Sequence, residues 1–270
     1  MSGLEPTELH PIAPAVAGSR FAEVRWVRET GSTNADLLAA AGDGAAEGTV
    51  LVADHQTAGR GRLGRRWDAA PGDGLLFSVL LRPSLPPDRL HLCSLAVALA
   101  AIDGCEQAAG VRPGLKWPND LVVGDRKLAG VLAEAAVVGD RVDAVVVGVG
   151  VNVRADGLPP ELRSTAVGLA EVAEGPVESG VLLVAVLRAL DRWWGTVAVG
   201  EDGWATVADA ARAASTTLGR DVRVERPGGD LDGVAEALDD AGRLVVVDAA
   251  GHRHAVAAGD VTHLRPLPPT

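Results

Sequence analysis

The apolar positions of this chain fall into short alternating runs broken by one long helical pattern. FAEVRWVRE (21–29) alternates like a strand, and STNADLLAAAGDG (32–44) then places its apolar residues at helical spacing. Ser32 or Thr33 can cap that helix through a hydroxyl, and Gly42 and Gly44 can end it. TVLVAD (49–54) and GLLFSVLLRP (74–83) are runs of the buried-strand type, the second closed by Pro83. DRLHLCSLAVALAAIDGCEQAAG (88–110) keeps helical spacing over about five turns, with Asp88 near its start and Gly110 after its end.

Beyond LKWPND (115–120), three runs rich in valine and leucine are separated by Gly-Asp turns at 124–125 and 139–140, which predicts an antiparallel meander through residue 153. Helical patterns return at about 178–194 and 203–214. From Ser215 onward short strands alternate with glycine turns. The pattern therefore predicts an α+β fold: a mixed, largely antiparallel sheet with helices, followed by a small β unit. The expected organisation is a loosely attached arm over 1–22, a main domain over 23–214 and a small β domain over 215–270.

Composition narrows the function classes. Of 270 residues, 47% are hydrophobic and 23% charged, as in ordinary globular proteins. A formal net charge of −11 opposes broad binding to nucleic acid, which relies on a basic face. The N-terminal MSGLEPTELHPIAP lacks the basic and apolar regions of a secretory signal, and charges or glycines interrupt every apolar stretch, so neither export nor a membrane span is expected. Cys93 and Cys105 sit in the long helical pattern, as buried thiols of a cytoplasmic protein would.

Against this acidic background, HQTAGRGRLGRRW (55–67) holds four arginines between Arg60 and Arg66. GRGRLG fits a dinucleotide-binding template, but the template needs a helix directly after the glycines, and RRWDAAPGDG cannot easily begin one. A solvated surface loop is the plain alternative. An anion clamp is the functional one: glycines turn backbone N–H groups toward a ligand, arginines supply forked donors, and Trp67 offers a face to a purine. A loop so rich in glycine and like charge is expected to stay mobile until its anion arrives.

LKWPND presents a lysine, an amide and a carboxylate around one turn, which is also ordinary turn chemistry. A hairpin about Gly124–Asp125 would return Lys127 to the neighbourhood of Asn119 and Asp120. Within GVGVNV (148–153), Asn152 needs hydrogen-bond partners, structural or ligand-borne. The six histidines form no zinc pattern, and His252 and His254 are expected on the surface.

Taken in order, GSTNADLL, HQTAGRGRLGRRW, KWPNDLVVGDRKLAGVLAE and GVGVNV resemble the biotin protein ligases over about residues 24–155. The C-terminal stretch resembles, more weakly, the family's SH3-like barrel. The resemblance implies a catalytic domain related to class II aminoacyl-tRNA synthetases and to lipoate ligases. It implies ATP, Mg²⁺ and biotin as substrates, with the metal held mainly by ATP phosphates and no tightly bound prosthetic group. The implied reaction forms biotinyl-5′-AMP, then transfers biotin to a lysine of a biotin carboxyl carrier domain.

By matching position, Ser32, Thr33, Asn34, Gln56, Gly59 and Arg60 would surround biotin, with Gly130, Gly148 and Gly150 shaping the floor. Arg62 and Lys127 would face the carboxylate and α-phosphate as catalytic cations, with Asp120 beside them. Arg65, Trp67, Asn119, Asp120 and Asn152 would contact the nucleotide. The rivals are a lipoate–protein ligase, a biotin-responsive regulator without ligase activity and an RNA-binding domain. Twenty-two residues ahead of the first strand leave no room for a winged helix, so no DNA binding is expected. A monomer or weak homodimer, with no membrane partner, completes the expectation.

Overall fold

A computed structural model describes residues 12–139, 141–158, 162–226, 229–257 and 259–264. Seven strands form the main sheet: β1 (Val24–Thr30), β2 (Val50–Gln56), β3 (Gly74–Leu81), β4 (Gly114–Lys116), β5 (Asp120–Val123), β6 (Arg126–Val138) and β7 (Arg141–Asn152). Their order is β1-β2-β3-β7-β6-β5-β4. β1 and β2 run parallel and every other neighbouring pair is antiparallel. The meander expected around the two Gly-Asp turns is β5–β6–β7.

Alternation along the strands divides the sheet into two faces. Val145, Val147, Val149 and Val151 of β7 and Leu75, Phe77, Val79 and Leu81 of β3 enter the main core. That face is covered by α2 (His91–Ala109) and α4 (Ser179–Val197), with the short α3 (Leu169–Val172) and α5 (Glu201–Ala214) beside them. Within Pro87–Ala109 an 18-residue window has a mean hydropathy of 1.3, long and apolar enough to cross a bilayer by length and composition alone. Its apolar surface is used inside the protein, where Leu92, Val97, Leu99 and Ile102 are buried.

The other face is covered only in part. α1 (Thr33–Gly42) packs Leu37 and Ala41 on Leu51, Leu80, Ala144 and Val146. Farther along the same rows, β6 and β7 carry glycines where larger side chains would stand, and a cavity opens there. The polar N-terminus of α1 forms its wall.

Five strands make the second sheet: β8 (Asp221–Glu225), β9 (Leu231–Leu238), β10 (Leu244–Val247), β11 (Arg253–Val256) and β12 (Asp260–His263), in the order β11-β10-β9-β8-β12. Its core includes a residue from far upstream. Trp117 packs among Val222, Val224, Leu244 and Val246, and its indole N–H donates to the Gly242 carbonyl at 3.1 Å. The Trp117–Pro118 peptide is cis.

The expected arm needs correction over its second half. Residues 13–16 form a 3₁₀ turn, Val16 and Phe21 are buried in the main core, and Arg188 of α4 donates to the Ala15 carbonyl at 2.8 Å. Apolar side chains in an otherwise polar leader are what tie it down. Residues 1–11, and the expectation made for them, lie outside the described residues.

Candidate functional site

The cavity is assembled from the N-terminus of α1, the end of β2, Phe77 of β3, the first half of β6, the last third of β7, the arginine loop, the KWPND turn and one residue of the second sheet. Ser32 is the helix cap, its hydroxyl accepting from Ala35 N–H at 3.4 Å. Thr33 donates its backbone N–H to Gln56 Oε1 at 2.8 Å, and its hydroxyl lies 2.7 Å from that of Ser78. Asn34 donates to the Leu132 carbonyl at 3.1 Å and to Glu134 Oε2 at 2.8 Å, while its own oxygen accepts from Ser78 at 2.6 Å.

Cross-strand register explains the floor. Asp120 of β5 stands opposite Gly130 of β6, which stands opposite Gly150 of β7. The next row on that face joins Leu132, Gly148 and Ser78. A Cβ at Gly150 would lie 2.4 Å from Trp67 Cε2, and one at Gly148 would lie 2.3 Å from Asn34 Oδ1. Glycine is required at both because the indole and the amide approach the sheet where a side chain would otherwise stand.

Trp67 therefore rests on the floor of the site. Its Nε1 is buried and has no hydrogen-bond partner among the described residues. Lys127 Nζ is 5.4 Å from the ring centroid, within the range of a cation–π contact.

The loop carrying the arginines is closed by its own backbone. Gly61 N–H donates to the Arg65 carbonyl at 2.7 Å and Trp67 N–H to the Gly59 carbonyl at 3.1 Å, with Leu63 in the left-handed region at φ 54°. Arg62 reaches Asn119 Oδ1 at 3.3 Å and the Gly259 carbonyl at 3.4 Å. Burial pulls its guanidinium below the ordinary value, opposed by Asp260 and Asp120. Arg65 pairs with Asp260, Arg60 lies 3.2 Å from Glu134, and Arg66 points away to the Thr57 carbonyl.

On the other side, the β5–β6 hairpin brings Lys127 Nζ to 2.6 Å from Asp120 Oδ1. The Lys127 backbone is held from two directions: its N–H donates to the Thr165 carbonyl at 2.7 Å and its carbonyl accepts from Val167 N–H at 2.9 Å. Asn119 is oriented by donating to the Val131 carbonyl at 2.8 Å.

Of the expected site residues, Ser32, Thr33, Asn34, Gln56, Arg60, Arg62, Arg65, Trp67, Asn119, Asp120, Lys127, Gly130, Gly148 and Gly150 line one cavity. Gly59 and Asn152 stand apart from that lining. Gly59 passes beneath the Trp67 carbonyl, where a Cβ would come within 2.4 Å. Asn152 is buried and donates to the Lys127 carbonyl at 3.3 Å, bracing that residue instead of facing the cavity.

Three participants escaped the sequence reading. Ser78 had a visible signal, a hydroxyl inside the apolar run GLLFSVLLRP. Glu134 was an acid within a valine- and alanine-rich strand. Asp260 carried no local signal, since only the docking of the second sheet brings it to the arginine loop. Among the described residues no cluster of three His, Cys, Asp or Glu side chains forms a metal site. The two carboxylates lining the cavity, Asp120 and Asp260, are already engaged by Lys127 and Arg65.

Comparison with known proteins bears on the same segments. Residues 31–152 match the biotin/lipoate A/B protein ligase family, and residues 217–264 match the biotin protein ligase C-terminal domain. The chain is 41% identical over 255 residues to the biotin–[acetyl-CoA-carboxylase] ligase of Mycobacterium tuberculosis, covering 92% of each. It is 32% identical to the bifunctional ligase/repressor BirA of Bacillus spizizenii, over 78% of this chain and 65% of that protein. The fold superposes with a TM-score of 0.76 on the biotin protein ligase of Aquifex aeolicus in complex with biotin and ATP, at 28% identity, covering 90% of this chain and 99% of that one.

Proposed function

Because the chain belongs to the biotin/lipoate A/B protein ligase family, we propose that it is an ATP-dependent biotin protein ligase acting on the carrier domain of a biotin-dependent carboxylase. One observation carries the reading. Two cations on separate elements, Arg62 and Lys127, line the same cavity as the hydrogen-bonding wall of Ser32, Thr33 and Gln56. A ligand spanning the cavity would have its polar head against that wall and its carboxylate near the cations.

In the first step an oxygen of the biotin carboxylate attacks the α-phosphorus of ATP, forming the mixed anhydride and releasing pyrophosphate. Lys127 and Arg62 are the groups assigned to the negative charge at that phosphorus, where fixed cations stabilise the transition state most. Asp120 sets the position of Lys127. Magnesium is assigned to enter as part of the nucleotide substrate. In the second step the neutral amine of the carrier lysine attacks the acyl carbon, the bond to AMP breaks, and the amine loses its proton.

Arg65 and Trp67 are assigned to the nucleotide, and the closed loop to shielding the anhydride from water. Residues 215–270 are assigned to a small β domain that supports the loop through Asp260. A cytoplasmic location and a monomer or weak homodimer complete the proposal.

The test is incubation with biotin, MgATP and a carrier domain, followed by mass spectrometry. A biotinyl mass increment on the carrier supports the reading. Transfer of lipoate alone, or no transfer, rejects it.

A further inference from the structure

Of the 25 lysines and arginines in the chain, only Lys116 and Lys127 are lysines. Lys127 lines the cavity, whereas Lys116 stands across the β4–β5 pair from Asp120 and outside that lining. The other cations at the cavity are Arg60, Arg62, Arg65 and Arg66. This division has a chemical consequence, because the product of the first step is an acylating agent. A guanidinium stays protonated and has no lone pair for an acyl carbon, but a lysine becomes a nucleophile on losing one proton.

Lys127 therefore stands beside the electrophile that it helps to form. In a self-reaction its lone pair would attack the acyl carbon of biotinyl-5′-AMP. An amide would form, the bond to AMP would break, and the nitrogen would lose a proton to solvent. The cavity would then be blocked by its own product.

Two contacts oppose that step. Asp120 Oδ1 lies 2.6 Å from Lys127 Nζ, where it accepts an N–H of the ammonium and fixes the direction of the head. The Trp67 ring, its centroid 5.4 Å from Nζ, favours a cation over a neutral amine through its π face. Arg62 is held differently, donating to the neutral oxygens of Asn119 and Gly259. A group that keeps its proton unaided needs no carboxylate at that distance.

We infer that Asp120, assisted by Trp67, is a positioning residue that withholds the Lys127 amine from acylation, so that the acyl group passes only to the amine of a partner protein. This rests on the reading that the cavity forms biotinyl-5′-AMP, and it gives Asp120 a role in the second step as well as the first.

The test supplies synthetic biotinyl-5′-AMP without a carrier and reads the protein by intact mass and by peptide mapping of amide-linked biotin. Lys116 and the N-terminal amine report background acylation from solution. The wild-type protein is expected to show no labelling of Lys127 above that background. In Asp120→Asn, labelling of Lys127 is expected to rise on the order of tenfold or more, because losing the opposite charge among further cations favours the neutral amine. Asp120→Glu returns a carboxylate and should return the protection. A merely structural defect at position 120 would weaken binding without creating an amide on Lys127. Should Asp120→Asn not fold, Arg62→Lys decides, since it sets an amine beside neutral oxygens: biotin is expected at position 62, and its absence with the adenylate bound overturns the inference. The inference also fails if Lys127 stays unlabelled in Asp120→Asn with the adenylate bound, or is labelled equally fast in the wild-type protein. Failure of the wild-type protein to bind biotinyl-5′-AMP would instead reject the underlying ligase reading.

Discussion

Lys127 Nζ stands 2.6 Å from Asp120 Oδ1, across the hairpin that joins β5 to β6. The pair places a cation at the edge of the cavity with its geometry already set. Asp120 sits opposite Gly130 in the sheet, and the Lys127 main chain is bonded to Thr165 and Val167. A flexible lysine is thus held from both ends.

Replacement of Lys127 by alanine removes that fixed charge. Pyrophosphate exchange is expected to fall by about two to three orders of magnitude, the usual cost of deleting one preorganised transition-state stabiliser. Asp120→Asn keeps the lysine but frees its head, so a smaller loss is expected in the same assay. An exchange rate near wild type for Lys127→Ala would remove it from the chemistry.

Arg62 ties the arginine loop to Asn119 and to the Gly259 carbonyl. Arg62→Ala is expected to shorten the lifetime of enzyme-bound biotinyl-adenylate while weakening biotin binding alone much less. Trapping the intermediate and following its release with time measures this. A lifetime equal to that of the wild type would show that the loop does not retain the intermediate.

Gly150→Ala probes the floor without touching a charge. The new Cβ would press on the Trp67 ring at 2.4 Å, so the indole must move. Overpacking of this kind costs about 1–3 kcal/mol. Weaker nucleotide binding and a shifted Trp67 fluorescence are expected, the latter read in a background where the other tryptophans are replaced by phenylalanine. Unchanged emission and affinity would mean that the indole does not rest there during binding.

Trp117→Ala tests how the two sheets depend on one another. The side chain is buried within the second core, and its loss should cost about 3–5 kcal/mol. Thermal unfolding should show a lower Tm, and hydrogen exchange should show the added opening in β8–β10 as well as in the KWPND turn. Exchange confined to the turn would argue against the shared core.

Stability should also fall in mild acid. His263 accepts from Arg220 at Nδ1 (3.3 Å) and lies 3.2 Å from the Thr217 hydroxyl, with Lys116 and Asp125 nearby. Burial first, then Lys116 and Arg220, lower its pKa from 6.5 to about 4. The unfolded chain takes up this proton below pH 6.5, whereas the folded chain resists it until about pH 4. Its contribution is therefore complete above pH 6.5 and is lost progressively as pH falls toward 4. Urea titrations across that window should show a flatter pH dependence for His263→Gln. A residual slope is expected from His91, whose pKa is lowered in the same direction by burial.

Much of this protein is determined by local pattern. Runs of valine and leucine around Gly-Asp turns specify the β5–β6–β7 meander, because alternation and turn chemistry act over a few residues. The same hairpin logic placed Lys127 beside Asp120, and the motif residues identified most of the cavity lining. Asn152 was ambiguous in sequence because a buried amide needs a partner of any kind, and the tertiary structure supplied the Lys127 carbonyl. Ser78 and Glu134 were visible as polar residues in apolar strands, yet their roles depend on which strands become neighbours. The tertiary structure alone decided that Trp117 fills the second core and that Asp260 meets Arg65. Those contacts join positions more than a hundred residues apart, and no periodicity in a chain carries the docking of one sheet against another.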